Sequence, residues 1–269
     1  MVKIIAFDLD GTLYDKHKHI DEDTIHKIID FEQKGIVVGI VTGRFYEELG
    51  EVIEKIKLRE YNGFVASSNG LEIHDFLDGE IRRFSRLSKD EVKEAKKHHL
   101  VSYVWQNGGY TMFGVSILDV VKKIFSLIPL DLHYIKSLQK TKFEKDVVLN
   151  EALYDKVCFV GFQIKKMYLE YRFYDVGKFG TELCKKDVGK LEAIRYICQK
   201  KQVSIFDVMA FGDHGNDVDL LASCGYGVAI KNGSAQANGS AQAKKAAKYI
   251  SDYANNEQGV LRFINSFFV

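Results

Sequence analysis

Proline is almost absent from this chain: Pro129 is the single one in 269 residues. Element ends must therefore be read from glycine, asparagine and capping residues rather than from ring-locked turns. Cysteine is sparse as well. Cys158, Cys184, Cys198 and Cys224 form no Cys-x-x-Cys pair, which speaks against a zinc site and for a reduced setting. Formal net charge is only +1, so no bulk field draws the protein to nucleic acid or to an anionic membrane. No apolar run reaches the roughly 20 residues that a spanning helix needs. The stretch Met1 to Asp8 is too short and too soon acidic for a signal peptide. Internal repeats and low-complexity segments are absent too. The expectation is a cytoplasmic protein, monomer or homodimer, with no nucleic-acid or membrane partner.

What is present is a globular composition. Apolar residues make up 46% and charged residues 28%, and 18 Phe with 14 Tyr supply ample material for burial. The length suits one large core or two domains.

The pattern at both ends is that of strands alternating with helices. Residues 3–7, 36–41 and 64–67 are short apolar runs without polar alternation, the mark of strands buried on both faces. Asp21 caps a predicted helix to Lys34, with Ile25, Ile28, Ile29 and Phe31 as its inner stripe and Gly35 as its stop. A second helix carries Leu49, Val52, Ile53 and Ile56. Asp78-Gly79, between residues 73–76 and 81–84, predicts a hairpin. The order then becomes less regular. A helix is expected over 89–98, and strands over 101–105, 110–115, 157–162 and 168–173. Parallel organisation returns with a helix over 191–199, strands over 206–211, 227–230 and near 249–250, a small-residue helix over 235–247, and a closing helix over 260–267. The fold class is α/β: a Rossmann-like, mostly parallel-sheet core in two parts, 1–84 and 186–269, with an α+β domain inserted at 85–185.

Charge collects densely beside two of the buried strands. Asp8-Leu9-Asp10-Gly11-Thr12-Leu13 follows the first, and Gly212-Asp213-His214-Gly215-Asn216-Asp217 follows the strand over 206–211. In an open parallel sheet, ligands bind beyond the carboxyl ends of the strands, where Asp8, Thr42, Ser68 and Asp213 all fall. Hard oxygen donors gathered there suit Mg²⁺. Asp8, at a rigid strand tip, is the candidate nucleophile toward phosphorus. Asp10, past the turn, is the candidate acid toward a leaving oxygen and base toward water. Gly11 permits a tight turn exposing backbone N–H groups, and Thr12 adds a hydroxyl. Asp213 is the expected direct metal ligand, beside Asp8 and the carbonyl of Asp10. Asp217 has three readings: helix cap, orienter of a water, or ligand. Thr42 and Lys190 fit phosphate binding. Lys190 sits at a helix start, where the dipole disfavours a cation unless an anion compensates; a plain surface lysine is the alternative. Arg44 reads equally as a solvated first-turn residue or a substrate contact.

Taken together, these segments resemble the haloacid dehalogenase-like hydrolase superfamily, and within it the Cof-like sugar-phosphatase branch. The resemblance rests on Asp8 to Leu13, Thr42-Gly43-Arg44, Ser68-Asn69-Gly70, Lys190 in its Val188 to Ile194 setting, Gly212 to Asp217, Asn232, and the 255–260 stretch. It implies a Mg²⁺-dependent phosphatase that acts on a small phosphorylated metabolite through a phosphoaspartate on Asp8, with the insert as an α/β cap governing substrate choice. It implies Asp10 as acid/base, Thr42 and Lys190 as the phosphate-holding pair, and Asn216 or Asp217 in support of the metal. Leu9, Gly11, Thr12, Gly43, Arg44 and Asn232 complete the expected phosphate and substrate contacts. Trp105, Tyr110, Tyr171 and Arg172 are candidate cap contacts, with packing as the alternative for each aromatic.

Three departures stand out: Leu191 where the branch has glycine, Lys231-Asn232-Gly233 in place of Gly-Asn-Ala, and the bulkier His214. None removes a catalytic group. A hexose-phosphate mutase and a non-catalytic phospho-ligand-binding protein are the other functions that this pattern allows.

Overall fold

The computed structural model describes residues 1–97, 101–106, 109–113, 142–144, 153–160, 171–176, 180–231 and 239–268. The chain divides into two compact units, Met1–Phe84 with Asp187–Val269, and Ser85–Lys186.

The first unit is built on an eight-stranded sheet. Its strands are β1 (Ile4–Phe7), β2 (Val37–Val41), β3 (Phe64–Ser67), β4 (Glu72–Asp75), β5 (Ile81–Arg83), β14 (Val208–Gly212), β15 (Tyr226–Ala229) and β16 (Tyr249–Ile250). The spatial order is β16-β15-β14-β1-β2-β3-β4-β5. Six strands run parallel, β4 pairs antiparallel with β3, and β5 pairs antiparallel with β4 across the Asp78-Gly79 turn. Gly79 holds φ 73°, a conformation that favours glycine.

The apolar runs explain the layering. In β1, Ile5 and Phe7 join one core cluster while Ile4 and Ala6 join the other, so both faces of the strand are covered. Helices α1 (Glu22–Gln33), α2 (Gly50–Lys55) and α7 (Gly259–Phe267) pack Ile28, Ile53 and Ile264 on the first face. Helices α4 (Lys190–Lys201), α5 (Val218–Ser223) and α6 (Gly239–Ala246) place Ile194, Ile197, Leu221 and Ala243 on the second. Each fully buried Ile or Phe contributes about 1.5–3 kcal/mol of transfer free energy. The Asp21 cap forms as expected, accepting from the Thr24 N–H at 3.0 Å. Of the predicted helix over 235–247, Gly239–Ala246 is helical, and residues 232–238 lie outside the described residues.

The second unit holds a six-stranded sheet in the order β12-β13-β11-β7-β8-β9 and a two-stranded β10-β6 pair. Its strands are β6 (Leu87–Ser88), β7 (Val101–Gln106), β8 (Gly109–Phe113), β9 (Lys142–Glu144), β10 (Leu153–Tyr154), β11 (Lys156–Val160), β12 (Tyr171–Val176) and β13 (Gly180–Lys185), with helix α3 over Lys89–Lys97. All pairings in the large sheet are antiparallel except β8 with β9. Leu87, Val92, Tyr154, Val157 and Leu183 form its apolar cluster. Two sequence expectations shift here. The strand read over 168–173 continues to Val176, with residues 168–170 outside the described residues, and β13 is an additional strand whose polar residues hid it. Its buried Glu182 is satisfied by Lys156 Nζ at 2.9 Å, a partner 26 residues away. Among the candidate cap contacts, Trp105 and Tyr110 stand opposite one another in the β7–β8 register. The Tyr171 hydroxyl donates to Glu91, and Arg172 Nε donates to the Lys186 carbonyl at 2.8 Å.

Candidate active site

Strand pairing brings the two acidic loops together. β1 and β14 are neighbours in register, with Phe7 opposite Phe211 and their rings stacked at 5.2 Å. The Asp8 N–H continues the ladder, donating to the Phe211 carbonyl at 3.0 Å. Asp8 and Asp213 are thus set at the carboxyl ends of adjacent parallel strands, although 205 residues separate them in sequence.

Carboxylate oxygens of Asp8, Asp213 and Asp217 lie within 4.8 Å of one another, and all three residues are buried. One buried cation stands among them. Lys190 Nζ donates to Asp8 Oδ1 at 2.7 Å and to Asp217 Oδ1 at 2.6 Å. Burial pushes the Asp8 carboxyl well up, Lys190 pulls it down, and Asp217 and Asp213 push it up again. Burial opposes the charge on Lys190, but Asp217 and Asp8 outweigh it and hold the ammonium above its ordinary range. The lysine read from sequence as a phosphate ligand or a surface residue is therefore an interior charge at the first turn of α4. Its compensation comes from two aspartates.

Asp217 has both oxygens committed. While Oδ1 takes Lys190, Oδ2 accepts the N–H groups of Asp213 at 3.1 Å and His214 at 3.0 Å. This geometry adds a role outside the three readings open to Asp217 in the sequence: it organises its own loop. Gly212 makes room for it, since a Cβ there would fall 2.5 Å from the Asp217 carboxyl carbon.

Gly11 holds φ +83°, and a Cβ there would come within 2.4 Å of Asp213 Oδ2. The Asp-Gly step is thus needed for both turn and clearance. Thr12 Oγ1 lies 3.4 Å from Asp213 Oδ1. Leu9 is wholly buried and packs its side chain in the first core cluster, away from a ligand. Thr42 is buried; its Oγ1 accepts from the Arg44 N–H at 3.2 Å, which leaves the hydroxyl proton to donate. Gly43 lies against Asn69, whose Oδ1 would be 3.2 Å from an added Cβ.

Arg44 is engaged with protein. Its Nε donates to Asp10 Oδ2 at 2.6 Å and its Nη2 to Asp10 Oδ1 at 2.5 Å, a two-pronged grip, with the guanidinium 5.3 Å from the Tyr14 ring centre. Asp10 keeps about half its side chain exposed. Asn216 Nδ2 donates to Asn69 Oδ1 at 2.8 Å, and Asn216 Oδ1 is buried without a hydrogen-bond partner among the described residues. Asn232 lies outside the described residues. The Asn216–Asn69 contact and the Arg44–Asp10 grip were not read from sequence. The only available signal was an asparagine ahead of a glycine at a strand end, a position that tolerates left-handed backbone.

These residues fit Mg²⁺. Three buried carboxylates around one lysine leave an excess of negative charge, the donors are hard oxygens, and an orphaned amide oxygen stands in the same loop.

Known proteins agree with this architecture. A family model described as haloacid dehalogenase-like hydrolase matches residues 5–264. The 5-amino-6-(5-phospho-D-ribitylamino)uracil phosphatase of Bacillus subtilis is 29% identical over 266 residues, covering 98% of this chain and 94% of that protein. A haloacid dehalogenase-like hydrolase structure from Bacteroides thetaiotaomicron matches with TM-score 0.73 and 23% identity, over 99% of this chain and all of the other. A solved sugar phosphatase of subclass IIB in the same superfamily matches with TM-score 0.73 and 20% identity, over 99% of each chain. The two structures show a shared fold.

Proposed function

The chain belongs to the haloacid dehalogenase-like hydrolase family, and from that premise we propose that it is a Mg²⁺-dependent phosphatase of small phosphomonoesters such as sugar phosphates. The observation that carries this reading is the gathering of Asp8, Asp213 and Asp217 around buried Lys190 at adjacent strand ends. A phosphoryl dianion would be repelled from such a cluster unless a divalent cation shared it. The sugar-type substrate class is supported by the ribityl phosphate and sugar phosphate named for two relatives.

The residues divide the work as follows. Asp8 attacks phosphorus through a carboxylate oxygen, and the bond from phosphorus to the leaving oxygen breaks. Asp10 gives that oxygen its proton. Asp10 then takes a proton from water, whose oxygen attacks the phosphorus of the Asp8 acyl phosphate and frees inorganic phosphate. Lys190 fixes Asp8 and neutralises part of the incoming charge, and the Thr42 hydroxyl donates to a phosphoryl oxygen. Arg44 grips both carboxyl oxygens of Asp10, so that grip has to part before Asp10 delivers a proton. Asp8, Asp213, the Asp10 carbonyl and Asn216 would hold Mg²⁺, which supplies charge neutralisation at the phosphoryl group. The 85–186 unit is proposed to set substrate choice. A cytoplasmic setting belongs to the same proposal, supported by the buried free thiols of Cys184, Cys198 and Cys224. Among the described residues no helix is long and apolar enough to cross a membrane.

The test is a panel of phosphorylated metabolites scored by released phosphate, with rapid-quench mass spectrometry of the protein. Phosphate release with a transient phosphoryl group on Asp8 is expected. A phosphate that moves between hydroxyls of one sugar without release would decide for a mutase instead.

A further inference from the structure

Ser68, Asn69 and Gly70 follow β3 with φ of 50°, 58° and 88°, three consecutive residues in the left-handed region. Two of them carry a Cβ, so the turn is held against intrinsic preference, and such strain persists where the surroundings over-determine it. The Ser68 N–H donates to the Arg44 carbonyl at 2.7 Å, and the Asn69 N–H to the Thr42 carbonyl at 2.8 Å. Gly70 presses on the residue ahead of Lys190: an added Cβ would lie 2.4 Å from the Gly189 carbonyl oxygen. Asn69 Oδ1 accepts from Asn216 Nδ2 at 2.8 Å. One short turn therefore touches the loop of Thr42, the start of the Lys190 helix and the loop of Asp213.

The Asn69–Asn216 bond has a directional consequence. An amide has one donor end and one acceptor end. With Nδ2 of Asn216 committed to Asn69, Oδ1 is fixed on the opposite side, buried and accepting no hydrogen bond among the described residues. A buried acceptor of this kind requires a partner.

We propose that Asn69 is a positioning residue that sets the amide orientation of Asn216, so that Asn216 Oδ1 is presented to the bound divalent cation or to a water on it. The inference rests on the Mg²⁺ reading above. In it, the strained turn is what joins the phosphate-holding loop to the metal-holding loop. The left-handed conformation of Asn69 alone would be met equally well by glycine, which separates its backbone role from its side-chain role.

The experiment uses the full chain and Mn²⁺ as probe, with free Mn²⁺ followed by electron paramagnetic resonance. Asn69→Gly keeps the backbone conformation and removes the acceptor. It is expected to weaken Mn²⁺ binding about 10- to 100-fold, the usual range for a residue that orients a metal ligand. Its metal-free unfolding midpoint is expected to move by no more than about 2–4 °C. Asn69→Asp keeps an acceptor for Asn216 Nδ2 and should restore binding to the wild-type level or tighter. In the double variant Asn69→Gly with Asn216→Ala, affinity should match Asn216→Ala alone, because both changes remove one path. Wild-type Mn²⁺ affinity in a folded Asn69→Gly protein would overturn the positioning role while leaving the metal reading intact. Absence of Mn²⁺ binding by the wild type, or binding unaffected by Asp213→Asn, would overturn the metal reading and this inference with it.

Discussion

Lys190 Nζ lies 2.6 Å from Asp217 Oδ1, and neither side chain has any exposed surface. The pair ties the first turn of α4 to the loop after β14, 27 residues further along the chain. A buried charge is tolerable only with a partner at hand. Because Asp217 also takes the N–H groups of Asp213 and His214, the same carboxylate that neutralises Lys190 sets the path of the loop carrying Asp213.

This geometry separates two aspartates that the sequence presents alike. Asp217→Asn should destabilise the metal-free protein by about 1.5–3 kcal/mol, the usual worth of hydrogen bonds to a charged group. Asp213→Asn should leave metal-free stability unchanged or raise it, because it removes one of three crowded carboxylates, yet it should abolish metal activation. Denaturant unfolding in EDTA checks the first statement and a Mg²⁺ titration of activity the second. Equal metal-free stabilities for the two variants would remove the organiser role from Asp217.

Glu32 supplies a pH prediction away from the site. It lies on α1, buried, with both carboxylate oxygens unpartnered among the described residues. Burial, with Glu60 adding to it and Lys57 opposing it, pushes its carboxyl from the ordinary 4.5 up to about 8. The folded state thus binds this proton more tightly than the unfolded chain does. Its contribution is fully present below about pH 4.5 and is lost progressively as pH rises to about 8. Allowing for solvent near the group, the loss is roughly 1–3 kcal/mol. Glu32→Gln should flatten that part of the stability profile, so that the variant gains on the wild type as pH rises. Parallel profiles across this window would contradict a titrating Glu32.

The core was legible because its strands are apolar on both faces and its turns carry their own chemistry. Residues 3–7 and 64–67 could hardly be anything but interior strands, and Asp21 and Gly35 marked the ends of α1; the strand read over 206–211 lies instead at Val208–Gly212, because Ile205–Asp207 forms a 3-10 turn that leaves Phe206 exposed. Asp8 and Asp213 were legible as a pair because both stand where such strands stop. The second unit was not. β13 reads as polar until Lys156 is brought to Glu182, and that pairing is set by tertiary structure. Asn69, Asp217 and Arg44 share this difficulty: each acts through a partner on another loop, and spacing along the chain holds no trace of it.

Metal removal tests the cluster as a whole. With Asp8 and Asp213 converging, chelation by EDTA should abolish phosphate release, and added Mg²⁺ should restore it. Mg²⁺ should also raise the unfolding midpoint of the wild type, since it relieves repulsion only in the folded state, by RT ln(1 + [L]/Kd). Asp213→Asn should lose that increment. Full activity after exhaustive chelation would exclude the proposed use of the cluster.

The last prediction separates Asp8 from Asp10. Asp8 is buried against Lys190, whereas Asp10 is half exposed and gripped by Arg44. That contrast fits a fixed nucleophile and a carboxylate that can swing to a leaving group or a water. Asp8→Asn should eliminate the phosphoenzyme. Asp10→Asn keeps similar size but loses the carboxylate that moves protons, a loss worth about 10²–10⁴-fold in rate. With p-nitrophenyl phosphate the leaving oxygen needs little protonation, so the first step of Asp10→Asn should suffer less than with an alkyl phosphate. Water attack on the acyl phosphate would still lack its base. The variant should therefore turn over slowly and accumulate phosphoryl on Asp8, seen by rapid-quench mass spectrometry. Arg44→Gln, which frees Asp10 without removing it, should not accumulate that species. Phosphoryl mapped to Asp10 in the wild type, or an unimpaired Asp10→Asn enzyme on alkyl phosphates, would reverse the assignment of the two roles.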